Sequence, residues 1–172
     1  MTADLGWGLG NIMAQLVATN NFTGTDRYLL GTYEGTWNLF YRNLRDANNL
    51  LALGEATDNG GYQGAALVLR AWILANLTEM WGDVPYSEAL AGKEDEFLPG
   101  YDAQADIYRS ILADLTNAAQ QAEKGGNMDG DILFGGDTEK WARLANSLHI
   151  RYLMRLENKW SELGIDGAQE IQ

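Results

Sequence analysis

The chain of 172 residues contains no cysteine, only two prolines and a single histidine. The missing thiols exclude disulfides, thiolate catalysis and cysteine-based zinc sites, and His149 alone cannot supply an imidazole pair. Basic residues are also scarce, since 12 Lys and Arg against 24 Asp and Glu give a formal net charge of −12. Such a surface repels phosphate groups, so we expect no binding to nucleic acid or to an anionic membrane surface.

Long hydrophobic runs are absent as well. No stretch approaches the roughly 20 apolar residues that a membrane span needs. Residues 1–5 lack the basic region and apolar run of a signal peptide. Because 46% of the residues are apolar, the chain can still bury a core. We therefore expect a folded protein that is either cytoplasmic or already stripped of an export signal.

The hydrophobic pattern has a helical period along most of the chain. Apolar residues recur at intervals of three and four along four segments, about 28–53, 62–81, 103–124 and 138–163. The second segment is apolar nearly all round, which is typical of a helix buried on several sides. Because no strand-like alternation persists, the sequence predicts an all-α fold.

The four predicted helices fall into two helix–turn–helix pairs, residues 28–81 and 103–163. This layout suggests tetratricopeptide-like (TPR-like) packing, although the fixed 34-residue period is absent. Residues 1–29 have only the pattern of an irregular helix that glycines weaken.

Two aspartates are assigned roles from their positions around the third helix. Asp102 precedes this helix and is predicted to be its N-cap. Asp114, with Asp106 and Arg109, is predicted to lie on its solvated face.

The most informative segment ends the second helix and reads Trp81-Gly82-Asp83-Val84-Pro85-Tyr86-Ser87-Glu88-Ala89-Leu90. Gly82 can adopt the left-handed conformation that closes a helix, and Pro85 prevents the helix from resuming. Asp83 and Ser87 can hydrogen-bond the backbone of their own turn. We therefore expect a helix stop followed by a long connection.

This segment also resembles the signature of SusD/RagB-like proteins, the surface nutrient-binding lipoproteins of Bacteroidetes. Residues 131–156, which contain DILFGGD and KWARLANSLHIRYLMRL, are similar to a second block of that family. Residues 101–119 resemble the helix between the two blocks. Order and spacing agree, and the resemblance covers roughly residues 30–160.

The resemblance implies the TPR-like helical part of a non-catalytic nutrient-binding protein. It implies capture of oligosaccharides or polysaccharides at the outer membrane, on the cell surface, with a SusC-like TonB-dependent transporter as partner. Family members are several hundred residues long and carry a lipid anchor on an N-terminal cysteine. We therefore expect residues 1–172 to be a single TPR-like domain and a fragment of a longer lipid-anchored protein. Apolar residues such as Leu163 and Ile165 would then lack cover.

Aromatic residues beside the long connection are the candidates for ligand contact. Flat rings pack well against the C–H faces of sugars, and Trp81, Tyr86 and Tyr101 flank this connection. Packing over the core is the competing interpretation for all three. The helical spacing of three further tryptophans predicts core positions for Trp37, Trp72 and Trp141.

Carboxylates for glycoside hydrolysis face each other across a cleft, about 5–9.5 Å apart. Asp83 and Glu88 lie in one short loop instead, so we expect no enzyme activity.

An oxygen-rich segment, Asn127, Asp129 and Asp131, alternates like the start of a calcium loop. An EF-hand needs glycine at its sixth position and a bidentate acid at its twelfth, where this chain has Ile132 and Thr138. We expect no cofactor, with a loose calcium site as the open alternative.

Two functions remain open at this point. The first is non-catalytic capture of a glycan or another nutrient. The alternative is a TPR-like protein–protein interaction module with no direct glycan binding, since helical-repeat folds commonly offer concave faces to partners.

Overall fold

The computed structural model describes residues 10–18, 20, 26–27, 34–95 and 97–171. The backbone groups into two compact units, Met1–Leu39 and Phe40–Gln172. The first unit contains a short helix α1, Asn11–Met13, in which Ile12 is buried. Most of the irregular helix predicted for residues 1–29 lies outside the described residues.

The remaining helices account for most of the chain. They are α2, Glu34–Ala56; α3, Gly60–Trp81; α4, Gln104–Lys124; α5, Thr138–Arg155; α6, Trp160–Leu163; and α7, Gly167–Glu170, with single 3₁₀ turns at Ala91–Glu94 and Glu157–Lys159. In the described residues, extended backbone pairs only in one isolated bridge, between Val84 and Asp102. The all-α prediction is confirmed. No helix within the described ranges is long and apolar enough to cross a membrane.

Helix α3 is the central helix, as its all-round apolar pattern predicts. It packs against both α4 and α5, and α4 also packs against α5. Its N-cap is Asn59, whose side chain accepts the backbone N–H of Tyr62 at 3.0 Å. The Asn59 amide also donates to the carbonyl of Asn127 at 2.8 Å, so the cap joins the start of α3 to the loop that follows α4.

Glycine allows α3 and α4 to approach closely. A Cβ added to Gly64 would lie 2.8 Å from the Cβ of Ala122 and 2.9 Å from the carbonyl oxygen of Ala118. Both distances are shorter than real Cβ contacts allow. Because Ala118 and Ala122 are fully buried, α4 meets the glycine face with its smallest side chains.

A buried ion pair joins the same two helices and corrects one sequence prediction. Asp114 does not lie on a solvated face: it is 9% exposed and pairs with Arg70 of α3. The Arg70 Nε and Nη2 atoms donate to the two carboxylate oxygens at 2.7 and 2.5 Å. An unpaired charge would be costly at this buried position, so the bidentate pair stabilises both side chains there.

The fourth predicted helix ends earlier than its pattern indicates. Helix α5 stops at Arg155, and residues up to 163 form a 3₁₀ turn and α6. The Trp160 indole donates to the carbonyl of Leu153 at 2.9 Å, which is the acceptor that residue 157 would use in a continued helix. Leu163, predicted to lack cover, is 8% exposed and so is buried.

The glycine contact predicts opposite effects for two glycine-to-alanine changes. Gly64→Ala should lower the free energy of unfolding by about 1–3 kcal/mol, because the added methyl group meets backbone and a buried methyl. Gly35→Ala, in the exposed part of α2 with nothing within 4 Å, should be neutral or stabilising by up to about 1 kcal/mol. Urea denaturation measures both, and equal effects would contradict the close approach.

The buried pair predicts a second contrast. Asp114→Ala should cost about 3–5 kcal/mol, because it leaves Arg70 buried without its counter-charge. The double change Arg70→Met with Asp114→Leu should recover most of that loss. As a control, Arg143→Ala should cost less than about 1 kcal/mol, since its pair with Glu139 is exposed. Chemical denaturation of the three variants and the unaltered protein tests this, and a double change as unstable as Asp114→Ala would refute it.

A candidate ligand-binding groove

The connection between α3 and α4, residues 82–103, begins with the helix stop that the sequence predicts. Gly82 has a φ of +76°, and its N–H donates to the carbonyl of Thr78 at 2.9 Å. The Thr78 hydroxyl donates in turn to the Gly82 carbonyl at 2.7 Å. These bonds satisfy groups that the end of a helix leaves without partners.

Two aspartates of the connection have roles different from those predicted. The N-cap of α4 is Ala103, which makes no side-chain bond. It is Asp83, and not Asp102, that accepts an N–H at the start of α4, from Gln104 at 2.9 Å. The antiparallel bridge between Val84 and Asp102 brings Asp83 beside the start of α4.

Asp102 instead closes the connection on itself. Its carboxylate accepts the N–H groups of Tyr86 and Ser87 at 2.8 and 2.9 Å and the Ser87 hydroxyl at 2.7 Å. Burial alone would raise the pKa of Asp102, but the bonds from Ser87 and Tyr86 outweigh it and hold this pKa below its usual value. Ser87 therefore bonds Asp102 and not the backbone of its own turn.

The connection is also fastened to α2. The Tyr41 hydroxyl donates to the carbonyl of Pro85 at 2.7 Å. Val84 is fully buried and Pro85 is buried beside it. The segment from 84 to 87 is thus held by the core, by α2 and by Asp102.

A groove lies between α2 and this fastened segment, and we call it the Asn48 groove. Its inner cavity, of about 300 Å³, is lined by Leu44, Asn48, Arg70, Tyr86, Ser87 and Ala89. An adjoining cavity of about 580 Å³ shares Asn48, Ser87 and Ala89 and extends to Arg45, Asn49 and residues 90–92. Inner cavity and extension are of the size that small-molecule sites have in proteins.

The adjoining cavity, called the outer cavity below, has a strained residue in its wall. Leu90 has a φ of +68°, in the left-handed region that costs a residue with a side chain roughly 1–2 kcal/mol. Strain of this kind tends to persist where the surrounding structure is organised for binding.

Charges in the groove are largely compensated. Burial alone would lower the pKa of Arg70, but its bonds with Asp114 prevail and raise that pKa above the ordinary value. Arg70 therefore stays charged, with its counter-charge beside it. Arg45, in the outer cavity, pairs with Asp46 at 3.0 Å.

The three predicted ligand residues lie in different surroundings. Tyr86 is half-buried and lines the inner cavity. Trp81 is half-buried, with its ring edge-on to Phe40 at a centroid distance of 6.3 Å. Tyr101 is 70% exposed and does not line the groove. The sequence did not single out Asn48, because one asparagine on a helix has no local signal that distinguishes it from solvent-facing positions.

Asp83 and Glu88, the pair weighed for catalysis, each have a structural partner. Asp83 accepts the N–H of Gln104 at the start of α4, and Glu88 accepts the N–H of Gly100 at 2.8 Å. Each carboxylate therefore supports the connection.

The oxygen-rich loop before α5 is organised by one carboxylate. Asp131 accepts the N–H groups of Leu133, Phe134 and Gly136 at 2.9–3.2 Å and the indole N–H of Trp141 at 2.9 Å. Burial would raise the pKa of Asp131, but these four donors lower it. N–H groups thus already bond the Asp131 oxygens, and the described residues contain no group of three His, Cys, Asp or Glu side chains that could hold a metal ion.

The predicted core tryptophans differ in burial. Trp141 is 4% exposed and packs edge-on against Phe134, with ring centroids 5.3 Å apart. Trp37 and Trp72 are half-buried. The core prediction therefore holds fully only for Trp141.

Helices α2 to α5, with a groove between α2 and the connection that follows α3, define an all-α helical scaffold. The family profile described as "Starch-binding associating with outer membrane", of the SusD-like type, matches residues 8–171. The chain belongs to this SusD-like family. No curated protein matches it significantly.

Solved structures agree with the assignment and with the TPR-like prediction. A SusD/RagB family protein of Bacteroides thetaiotaomicron is 28% identical with a TM-score of 0.71, over 82% of this chain and 30% of that one. A SusD homologue of Bacteroides fragilis is 30% identical with a TM-score of 0.70, over 83% and 30%. A chitin-binding protein is 29% identical with a TM-score of 0.67, over 78% and 29%. The chain thus spans about 30% of the length of the structures it matches.

The lowered pKa of Asp102 predicts how the connection responds to acid. A carboxylate whose pKa is lower in the folded state stabilises that state above its unfolded pKa of about 3.9, and loses the effect as the pH falls through the folded value. The amide resonances of Tyr86 and Ser87 should therefore titrate with an apparent pKa below about 3.9.

Asp102→Asn is the matched control for this titration. In that variant the acid-induced change at Tyr86 and Ser87 should be absent. An apparent pKa at or above about 3.9 in the unaltered protein would contradict the assigned role.

Proposed function

We propose that this chain is the helical part of a cell-surface protein that captures a glycan nutrient without cleaving it. The captured glycan would pass to a SusC-like TonB-dependent transporter in the outer membrane, to which a lipid anchor outside these residues would keep the protein close. Family membership supports the proposal, together with the description of one related structure as chitin-binding.

The observation that carries the proposal for this chain is the Asn48 groove. It combines an aromatic ring at Tyr86 with uncharged polar groups at Asn48 and Ser87. Rings that cover C–H faces, with a few polar groups that fix orientation, suit the recognition of small polar ligands. Trp81 and Tyr101 remain proposed contacts, outside this groove.

A second candidate function has its own observation. In the loop before α5, Ile132 is fully exposed and Leu133 is 57% exposed, although four hydrogen bonds to Asp131 hold the loop in place. Apolar residues fixed in an exposed position are typical of protein contacts. This favours the alternative of a TPR-like interaction module with no direct glycan binding.

Titration calorimetry with maltoheptaose and chitohexaose tests the first function. We expect binding heat with at least one of these glycans, and no new reducing ends after prolonged incubation with the protein. Ile132→Ser with Leu133→Ser should leave that binding unchanged, because the loop lies outside the groove.

Two outcomes would contradict the proposal. Release of reducing ends would show hydrolysis and overturn the non-catalytic function. Absence of heat with every glycan, combined with binding to a purified SusC-like transporter that the two serine changes abolish, would favour the interaction module.

A further inference from the structure

An apolar pocket that shares no residue with the Asn48 groove lies between α2, α3 and the loop that precedes α5. Its volume is about 380 Å³, which is within the range of small-molecule sites in proteins. Its walls include apolar side chains from α2, α3, the loop and α5, namely Leu50, Ala65, Leu69, Met128 and Trp141. We call this cavity the Trp141 pocket. A cavity lined in this way is suited to an apolar group.

The rim of the Trp141 pocket exposes apolar side chains on a fixed backbone. Ile132 is fully exposed and Leu133 is 57% exposed, and both line the pocket. The loop is held in place because the Asp131 carboxylate accepts the N–H of Leu133 and the indole N–H of Trp141. A pocket beside such residues is typical of protein interfaces in which one side chain of the partner is buried as an anchor.

The charges at this pocket are negative. Among the described residues that line it, Asp129 and Asp131 are the charged ones, and no Lys or Arg is present. Asp131 bonds N–H groups, which lower its pKa and keep it ionised. Asp129 bonds the side-chain amide of Asn127 at 2.9 Å. Neither carboxylate has a cationic partner in the part of the chain that the structure describes, so a positive charge on a ligand would be favoured here.

The same carboxylates restrict what can occupy the pocket. A membrane of anionic lipids would be repelled by them and by the net charge of −12. A second copy of this chain, docked across a two-fold axis, would set Asp129 and Asp131 opposite like charges. A small molecule that fills the pocket would leave Ile132 exposed, whereas a polypeptide can cover the pocket and its rim together.

We propose that the Trp141 pocket and its rim bind a basic polypeptide segment of a partner protein. An apolar side chain of that segment occupies the pocket, and Lys or Arg residues on either side of it face Asp129 and Asp131. This inference rests on the second candidate function, the interaction module, because it specifies the chemistry of the partner. It does not depend on glycan binding.

Three fluorescein-labelled hexapeptides test the inference by fluorescence anisotropy. The first has two leucines between lysines, the second has glutamates in place of the lysines, and the third has serines in place of the leucines. The first should bind at least about tenfold more tightly than the other two, because only it supplies both an apolar anchor and positive charge. In NMR spectra it should also shift the indole N–H resonance of Trp141, which lies in the pocket wall.

Two matched serine variants test the place of binding. Leu69→Ser removes an apolar side chain from the pocket wall and should weaken binding of the lysine–leucine peptide about fivefold or more. Leu53→Ser is the control, because Leu53 is 50% exposed on α2 and does not line the pocket. It should bind the peptide normally. Neither change should alter glycan binding, since both positions lie outside the Asn48 groove.

Asp129→Lys tests the charge at the rim. Asp129 is exposed, and the hydroxyl of Tyr62 bonds its backbone carbonyl and not its side chain, so the variant should fold normally. Its preference for the lysine–leucine peptide over the glutamate peptide should fall about fivefold or more. The double change Ile132→Ser with Leu133→Ser keeps the backbone bonds to Asp131 and should also weaken the peptide, which gives a further variant if Leu69→Ser is unstable on heating.

Four results would overturn the inference. They are equal binding of the lysine–leucine and glutamate peptides, equal binding by Leu69→Ser and Leu53→Ser, attachment to phosphatidylglycerol vesicles that Leu69→Ser weakens, and a dimer in sedimentation that Leu69→Ser dissociates. The last two would assign the pocket to a membrane or to a second copy. A longer form of the protein that no longer binds the peptide would show that the pocket is covered from within the same protein, and would exclude a separate partner.

The failures of the inference and of the interaction module are distinguishable. If no peptide binds, but the serine changes at Ile132 and Leu133 still abolish binding to the transporter, the inference is wrong while the interaction module stands. If the lysine–leucine peptide binds as predicted and the transporter does not, the inference stands for a different partner.

Discussion

The close approach of α3 and α4 is the constraint on which the rest of the structure depends. It requires a position without a side chain at Gly64, opposite the small and fully buried Ala118 and Ala122. The same approach brings Arg70 within 2.5 Å of Asp114, where water is largely excluded. Because charged groups are stable in such a place only as a pair, helix spacing and ion pair depend on each other.

The consequences of this packing extend to the groove. Asp114 holds Arg70, which lines the inner cavity, through two hydrogen bonds. The end of α3 starts the connection, whose fold depends on Asp102 and on the Tyr41 bond to the Pro85 carbonyl. The connection therefore does two things in this molecule: it closes the core with Val84, and it supplies one wall of a polar groove.

Local sequence signals predicted the helices well but did not predict which distant residues contact each other. The helical period predicted the span of α3, and Gly82 with Pro85 predicted its end, because both signals act within a few residues. The burial of Asp114 could not be predicted, since its partner Arg70 is 44 residues away. The end of α5 at Arg155 also depends on a tertiary contact, the bond from Trp160, and no glycine or proline marks it.

The candidate site shows the same division. Tyr86 was predicted from its position beside the connection, and it does line the groove. Asn48 was missed because its place in the groove wall depends on how the connection packs against α2, and not on its own helix. The exchange of roles between Asp83 and Asp102 likewise follows from a backbone bridge that links residues 84 and 102.

A crystal structure of the chain with bound maltoheptaose or chitohexaose tests the central claim most directly. We predict a sugar residue in the Asn48 groove, with a C–H face against the Tyr86 ring. A glycan bound elsewhere on these residues, with the groove empty, would contradict it.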